Sequence, residues 1–312
     1  MRENFPYGKS KLFVKQITII DFMEFLKYNK IGNTNFVILY FFEGIYMKII
    51  VCMKQVPGTN KADIDPVTGV IKRDGADCKT NPYDLYALEA ALRLREENGG
   101  TVTVVTMGPP QAAQVIREAY SMGADHGVLV SDRCFAGSDV LATSMALSQA
   151  IKTLGGFDLI LCGKQTTDGD TAQVGPEIGE LLCIPSAAGI NKILGPDKQS
   201  ISVQADMISG IGKIRIKLPC LLCVEKDICE PRLPSYRKKI STSDKEITML
   251  SLDDFTQKDK SKYGLEGSPT QVRRIFPPES GDKRELWQGT AEELARKFYD
   301  TLQKLKFLEE SI

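Results

Sequence analysis

Two hydrophobic rhythms alternate along the chain from residue 47 onward. Lys48–Met53 (KIIVCM), Thr101–Met107, His126–Val130 and Asp158–Cys162 are short apolar runs, the pattern of strands buried on both faces. Between them, apolar residues recur every three or four positions. Leu85, Leu88 and Leu92 mark a helix opened by Asn81-Pro82 and stopped by Gly99. Val115, Ala119 and Met122 mark a second, led in by Gly108-Pro109-Pro110 and ended by Gly123. Leu141, Leu147, Ile151 and Leu154 mark a third, with Ser138 as its cap and Gly155-Gly156 as its stop. Strand and helix in repeated alternation predict an α/β fold. Its sheet is mostly parallel, doubly wound and covered on both faces, with right-handed crossovers.

After Cys183 the rhythm changes. Ile201–Asp206, a turn around Gly210 and Gly212, and Lys213–Val224 read as a small antiparallel portion. Ile214, Ile216 and Leu218 alternate there with charged residues, which leaves one face wet. From Leu233 the chain is polar and broken, without a core-forming period. Near its end Thr290 and Glu293 have the spacing of a capping box. Leu294, Phe298, Leu302 and Leu305 then form one apolar stripe. Residues 230–312 are therefore expected to be an extended arm ending in a helix that meets a second subunit or folds back. Residues 1–46 differ from the rest: they hold seven of the thirteen phenylalanines and no alanine. They lack the plan of a secretory signal or a transit peptide, and Phe36–Phe42 is too short to span a bilayer. A helix over Thr18–Tyr28 fits the pattern. Either this extension is a start-site artefact, with the working chain beginning at Met47, or it is an accessory arm. The main domain is expected over 47–229.

One stretch, Phe157–Cys183, organises the rest. Its strand runs into a polar loop and then into a helix from Gln173, with Pro176 in the first turn, where no amide donor is needed. Asp170 and Gln173 have the spacing of a weaker capping box. Free amides and the positive end of the helix dipole would face the space above the strand, and a phosphate or pyrophosphate is the natural guest. An ordinary capped turn that binds nothing is the other reading. Asp168 and Asp170 would repel a phosphate, so they are expected to cap amides or meet ribose hydroxyls.

Composition narrows this further. Lys+Arg and Asp+Glu both number 40, so no polyanion-binding surface is indicated and nucleic acid is not an expected partner. The eight cysteines are scattered, several in predicted core strands, which suits a reduced, cytoplasmic protein. Cys220 and Cys223 make a CxxC pair, but on a strand they point to opposite faces. The only histidine is His126, so no metal site is expected. No residue has the setting of a nucleophile or general base.

The string GKQTTDGDTAQVGP, residues 163–176, resembles the nucleotide loop of the electron transfer flavoprotein β subunit. Its DGDTAQVGP wording resembles the electron-bifurcating branch. Leu218-Pro219 and Glu225 match a further family signature, although Ile208-Ser209-Gly210-Ile211 stands where the family has an acidic turn. The resemblance covers Met47 to about Phe307 and implies a Rossmann-like adenine-nucleotide-binding domain paired with an α subunit that carries its own FAD. It places Cys52 and Met53 at the adenine, with Asn81 and Asp84 lining the same pocket and Met107 and Gly108 beside it. Gly163, Lys164, Gln165, Asp168, Gly169, Asp170, Thr171, Ala172, Gln173 and Val174 form the loop on the pyrophosphate. In one-electron carriers that loop holds AMP; in the bifurcating branch it holds FAD. Carriers have Asn and Thr where Ala172 and Val174 stand, and smaller or apolar side chains suit contacts through backbone amides. The bifurcating reading implies NADH as donor, with ferredoxin or flavodoxin and an acyl-CoA dehydrogenase-type or other flavin dehydrogenase as acceptors. Glu230-Pro231-Arg232 resembles the motif before the family's partner-recognition loop, and Tyr236 falls where carriers place an anchoring leucine. A plain carrier and a nucleotide-binding regulatory module are the alternatives.

Overall fold

The computed structural model describes residues 45–58, 78–271 and 285–307. Residues 1–44, including the helix expected at Thr18–Tyr28, lie outside the described residues. The first strand, β1 (Met47–Cys52), is followed by a short antiparallel pair, β2 (Gln55–Pro57) and β3 (Cys78–Thr80). Then come α1 (Pro82–Asn98), β4 (Gly100–Met107), α2 (Ala113–Met122), β5 (His126–Val130), α3 (Val140–Leu154) and β6 (Leu159–Gly163). Helix α4 (Val174–Leu181) leads to β7 (Ser186–Pro196), β8 (Ser200–Met207), β9 (Gly210–Lys217) and β10 (Cys220–Val224). Helix α5 (Tyr236–Ser241), strand β11 (Thr248–Leu250) and helix α6 (Ala291–Lys304) follow.

The main sheet has nine strands in the order β11-β5-β4-β1-β6-β10-β7-β8-β9. Every pairing from β11 to β7 is parallel, and β7-β8-β9 is antiparallel. This is the expected doubly wound, mostly parallel architecture. The alternation along β1 shows why its apolar run is continuous. Ile49 and Val51 enter a core with Leu88 and Leu92 of α1 and Ile116 and Tyr120 of α2. Ile50 and Cys52 enter the opposite core with Leu147 and Ile151 of α3 and Ile178 of α4. Cys220 and Cys223 divide in the same way, one to each core. Among the described residues no acidic, histidine or cysteine cluster could hold a metal, and no helix is long and apolar enough to cross a membrane.

Several local readings change. The stretch Lys213–Val224 is not one antiparallel strand: Leu218 and Pro219 separate β9 from β10, and Pro219 lacks the amide a continuing ladder needs. β10 lies parallel between β6 and β7, so it belongs to the main sheet. The turn before β9 is made by Ile208 and Ser209, not centred on Gly210 and Gly212. Helix α3 is capped by Asp139, whose carboxylate accepts from the Ala142 amide at 3.1 Å. Ser138 instead donates to the Phe135 carbonyl. Leu147 and Ile151 of the predicted α3 stripe are buried, whereas Leu141 and Leu154 are 42% and 36% exposed. Residues 230–271 run along the domain, with β11 added to the sheet beside β5 and Leu252, Phe255 and Tyr263 entering the core of Ile50 and Leu147.

Candidate functional site

Chain order and sheet order together locate the site. After β1 the chain builds outward through β4 and β5 on one side and returns through β6 on the other. The reversal falls between β1 and β6, with Cys52 in register with Cys162. In open α/β sheets a crevice outside the strands' carboxyl ends at such a point is where ligands bind. The sequence-predicted residues converge here. Cys52-Met53 end β1, Met107-Gly108 end β4, Asn81 and Asp84 open α1, and residues 163–174 link β6 to α4. The strand ends are tied by backbone: Met53 N–H donates to Val105 O at 2.9 Å, Gly108 N–H to Val130 O at 3.0 Å. The Cys52 side chain is buried in the core with Cys162.

Asn81 and Asp84 turn inward and hold the loop. Asn81 precedes α1 but makes no side-chain cap to it. Its Nδ2 donates to Gln165 O at 2.9 Å and its Oδ1 accepts from Thr167 N–H at 3.3 Å. Asp84 Oδ2 accepts from Lys54 N–H at 2.8 Å. A Cβ on Gly163 would stand 2.5 Å from Asp84 Oδ1, so glycine is what lets the strand end approach α1 this closely. Burial pushes the Asp84 carboxyl up to about 7, against the pull of the Lys54 and Gly163 amides, the Asn81 side chain and the Lys54 charge.

The loop itself is shaped by two residues with positive φ, Asp170 at 53° and Ala172 at 56°. Left-handed backbone at non-glycine positions costs about 1–2 kcal/mol each, and such strain gathers at ligand loops. Asp170 does not cap α4. Gln173 is the cap residue, and it makes no side-chain cap bond. Asp170 instead accepts from the Gln165 side chain, because its left-handed backbone turns it back across the loop. Pro176 does lie in the first turn. Among the described residues, the amides of Thr171, Ala172, Gln173, Val174 and Gly175 find no acceptor. They form a fan of donors at a helix N-terminus, which is what an anionic ligand requires.

Two lysines frame that fan, and sequence reasoning gave a role only to the second. Lys54 Nζ reaches across the crevice to Asp168 at 2.6 and 2.8 Å. Burial pushes the Asp168 carboxyl up, but bonds from Lys54, Thr166 and Gly169 outweigh it and hold it below the usual range. Lys164 Nζ pairs with Glu225 Oε1 at 2.8 Å. The available signal was a repeated dipeptide: both strands at the reversal run into Lys-Gln, at 54–55 and 164–165. Beyond the loop a cavity of about 400 Å³ is lined by Lys164, Ala172, Ala188, Gly189, Asp206 and Glu225. Gly189, at φ 72°, takes a left-handed backbone within β7.

Residues 68–254 match the electron transfer flavoprotein domain. The chain is 42% identical over 258 residues to the electron transfer flavoprotein subunit beta of Thermoanaerobacterium thermosaccharolyticum, covering 82% of this chain and 98% of that one. It is 44% identical over 238 residues to protein FixA of Azorhizobium caulinodans, covering 74% and 85%. It is 44% identical over 245 residues to the caffeyl-CoA reductase-Etf complex subunit CarD of Acetobacterium woodii, covering 78% and 93%. With the doubly wound sheet and its loop at the reversal, these likenesses establish that the chain belongs to the electron transfer flavoprotein β-subunit family.

Proposed function

We propose that this chain is the β subunit of a heterodimeric electron-bifurcating flavoprotein and that its loop holds FAD. The observation that carries the reading is an open cleft of about 400 Å³ that shares Ala172 with the fan of amides. AMP would lie over the carboxyl ends of β1 and β4 and stop at the fan with its single phosphate. A dinucleotide needs more: donors for a second phosphate and room beyond it. The free amides of 171–175 supply the first, and the space walled by Ala172, Ala188 and Gly189 supplies the second. Bound there, FAD would supply hydride acceptance from NADH and delivery of electrons to ferredoxin or flavodoxin and, through the α-subunit FAD, to a partner dehydrogenase. The chain's own residues bind and orient. Backbone at Cys52, Met53 and Gly108 meets the adenine, Asn81 and Asp84 fix the loop, and the amides take the pyrophosphate.

The name of one relative supports a dehydrogenase partner. CarD belongs to a complex with a CoA-ester reductase, and Leu233, Tyr236 and Ile240 stand 88%, 78% and 58% exposed here, a surface fit for an acyl-CoA dehydrogenase-type or other flavin dehydrogenase. The α subunit is assigned to the end of the arm, and the cytoplasm suits the absence of disulfides among the described residues. Nucleotide extraction from the heterodimer, reconstituted with FAD, is the test. Two FADs are expected per heterodimer. One FAD and one AMP would overturn the reading and leave a plain electron carrier.

A further inference from the structure

We infer that Lys164 and Glu225 form a charge couple that sets the reduction potential of the flavin ring in the cavity beside the loop, an inference that rests on the FAD reading above. The two residues occupy equivalent places. Lys164 is the first residue after β6 and Glu225 the first after β10, and these strands are parallel neighbours with Gly163 in register with Val224. Both backbones are pinned: Lys164 N–H donates to Val224 O at 2.9 Å and Glu225 N–H to Ile190 O at 2.8 Å. Their side chains meet at 2.8 Å, with Glu225 only 16% exposed.

A surface ion pair in open solvent is weak and would carry no such role. This one differs in where it stands. It lines the cavity next to Ala172, whose amide belongs to the donor fan, so a ring continuing from the pyrophosphate arrives beside it. The other charged lining residue is Asp206, whose carboxylate accepts from Asn191, which in turn accepts from Gln204 at 3.0 Å. The lining thus sets one cation against two carboxylates. Charge introduced with electrons is favoured by Lys164 and opposed by Glu225 and Asp206, and of the three Glu225, 16% exposed, is the least screened by water. A lining of net negative charge holds the ring at low potential, which is what delivery to a low-potential acceptor needs.

The test is a spectroscopic redox titration of the β-site flavin in the reconstituted heterodimer, with flavin content measured on each sample. Lys164→Gln should lower the midpoint, since it removes the cation and leaves Glu225 uncompensated. Glu225→Gln should raise it, and Lys164→Arg, which keeps the charge, should leave it in place. Unchanged midpoints in both glutamine variants, or shifts of the same sign, with two FADs bound would overturn the inference while sparing the FAD reading. If Lys164→Gln fails to retain flavin, Glu225→Gln decides alone: a midpoint that does not rise overturns the couple. AMP in the wild-type heterodimer would remove the FAD reading itself, and the couple with it.

Discussion

Two stretches follow β10, and their sequences misrepresent them in opposite ways. Residues 230–271 look polar and without a core, yet they are fastened to the domain along their length. Arg232 forks onto Glu89 and Glu96 of α1, with closest approaches of 2.7 and 2.6 Å. The Ser235 amide donates to Ser121 O at 3.0 Å, and Tyr120 Oη donates to Glu246 O at 2.6 Å. Lys245 stands 4.4 Å from the centre of the Tyr120 ring. Beyond β11, Phe255 and Tyr263 are each 1% exposed and pack with Phe135 and with each other at centroid distances of 5.4–6.1 Å. Residues 291–304 show the reverse. Helix α6 has both halves of its capping box and a clear apolar stripe, yet none of its residues is buried, and Phe298 is 57% exposed. A periodic stripe states that a face needs covering; it does not say by what. A few large side chains spaced without period can anchor a long segment.

The largest expected effect breaks the anchored stretch. Phe255→Ala removes one ring of a three-ring cluster and leaves a cavity, so unfolding in urea should show a loss of about 3–5 kcal/mol. The added exposure of residues 250–268 should appear as early proteolytic cutting there. A loss below about 1 kcal/mol would mean that the stretch is held by its hydrogen bonds and ion pairs and that the rings are incidental.

The sequence revealed the parallel half of the fold because strands buried on both faces read as unbroken apolar runs. Lys48–Met53, Thr101–Met107, His126–Val130 and Asp158–Cys162 each fall within one residue of a strand at either end. β7 escaped because SAAGINKILGP carries two glycines and pairs with segments that the chain reaches only later. β11 escaped because three residues with Met249 54% exposed carry no pattern. At the site, the loop and strand ends were legible as motif and position. The Lys54–Asp168 clasp was not, since it joins residues 114 apart in sequence. Nor was the inward turn of Asn81 and Asp84, because a residue beside a helix start reads first as that helix's cap.

An intermediate effect tests the ionic part of the anchor. The Glu89 carboxylate is 3% exposed and held by Arg232 and Arg93. Burial pushes its pKa up, but the bonds from Arg232 and Arg93 outweigh that and bring it below the usual value; Glu96 is also lowered, first by Arg232. Arg232→Ala leaves Glu89 with Arg93 alone, and a loss of about 2–3 kcal/mol at pH 7 is expected, less than for a fully stranded buried charge. The sign with pH follows from the lowered values. The stabilisation is complete above the unfolded glutamate range and disappears as pH falls through the depressed folded values. Stability curves of wild type and variant should therefore converge in acid. Curves that stay parallel from pH 7 downward would mean that Arg232 acts through packing.

The smallest effect on the chain's own stability belongs to α6. Replacing Phe298 and Leu302 with aspartate puts charges on a stripe that the described chain leaves open, so unfolding of this chain alone should change by no more than about 0.5 kcal/mol. The capping box is untouched: Thr290 Oγ1 still accepts from the Glu293 amide, and Glu293 still accepts from the Thr290 amide at 2.9 Å. Circular dichroism should thus keep the helical signal. Pairing with the α subunit is where the substitutions should register. Two apolar side chains that become buried at an interface are worth about 1.5–3 kcal/mol each, so titration should show affinity falling at least tenfold. The two measurements together decide what covers the stripe. Lost stability of the lone chain with normal pairing would place α6 against its own domain, and the contrast with residues 230–271 would vanish. Unchanged stability with weakened pairing would leave one stretch fixed by its own fold and the other completed only by a partner.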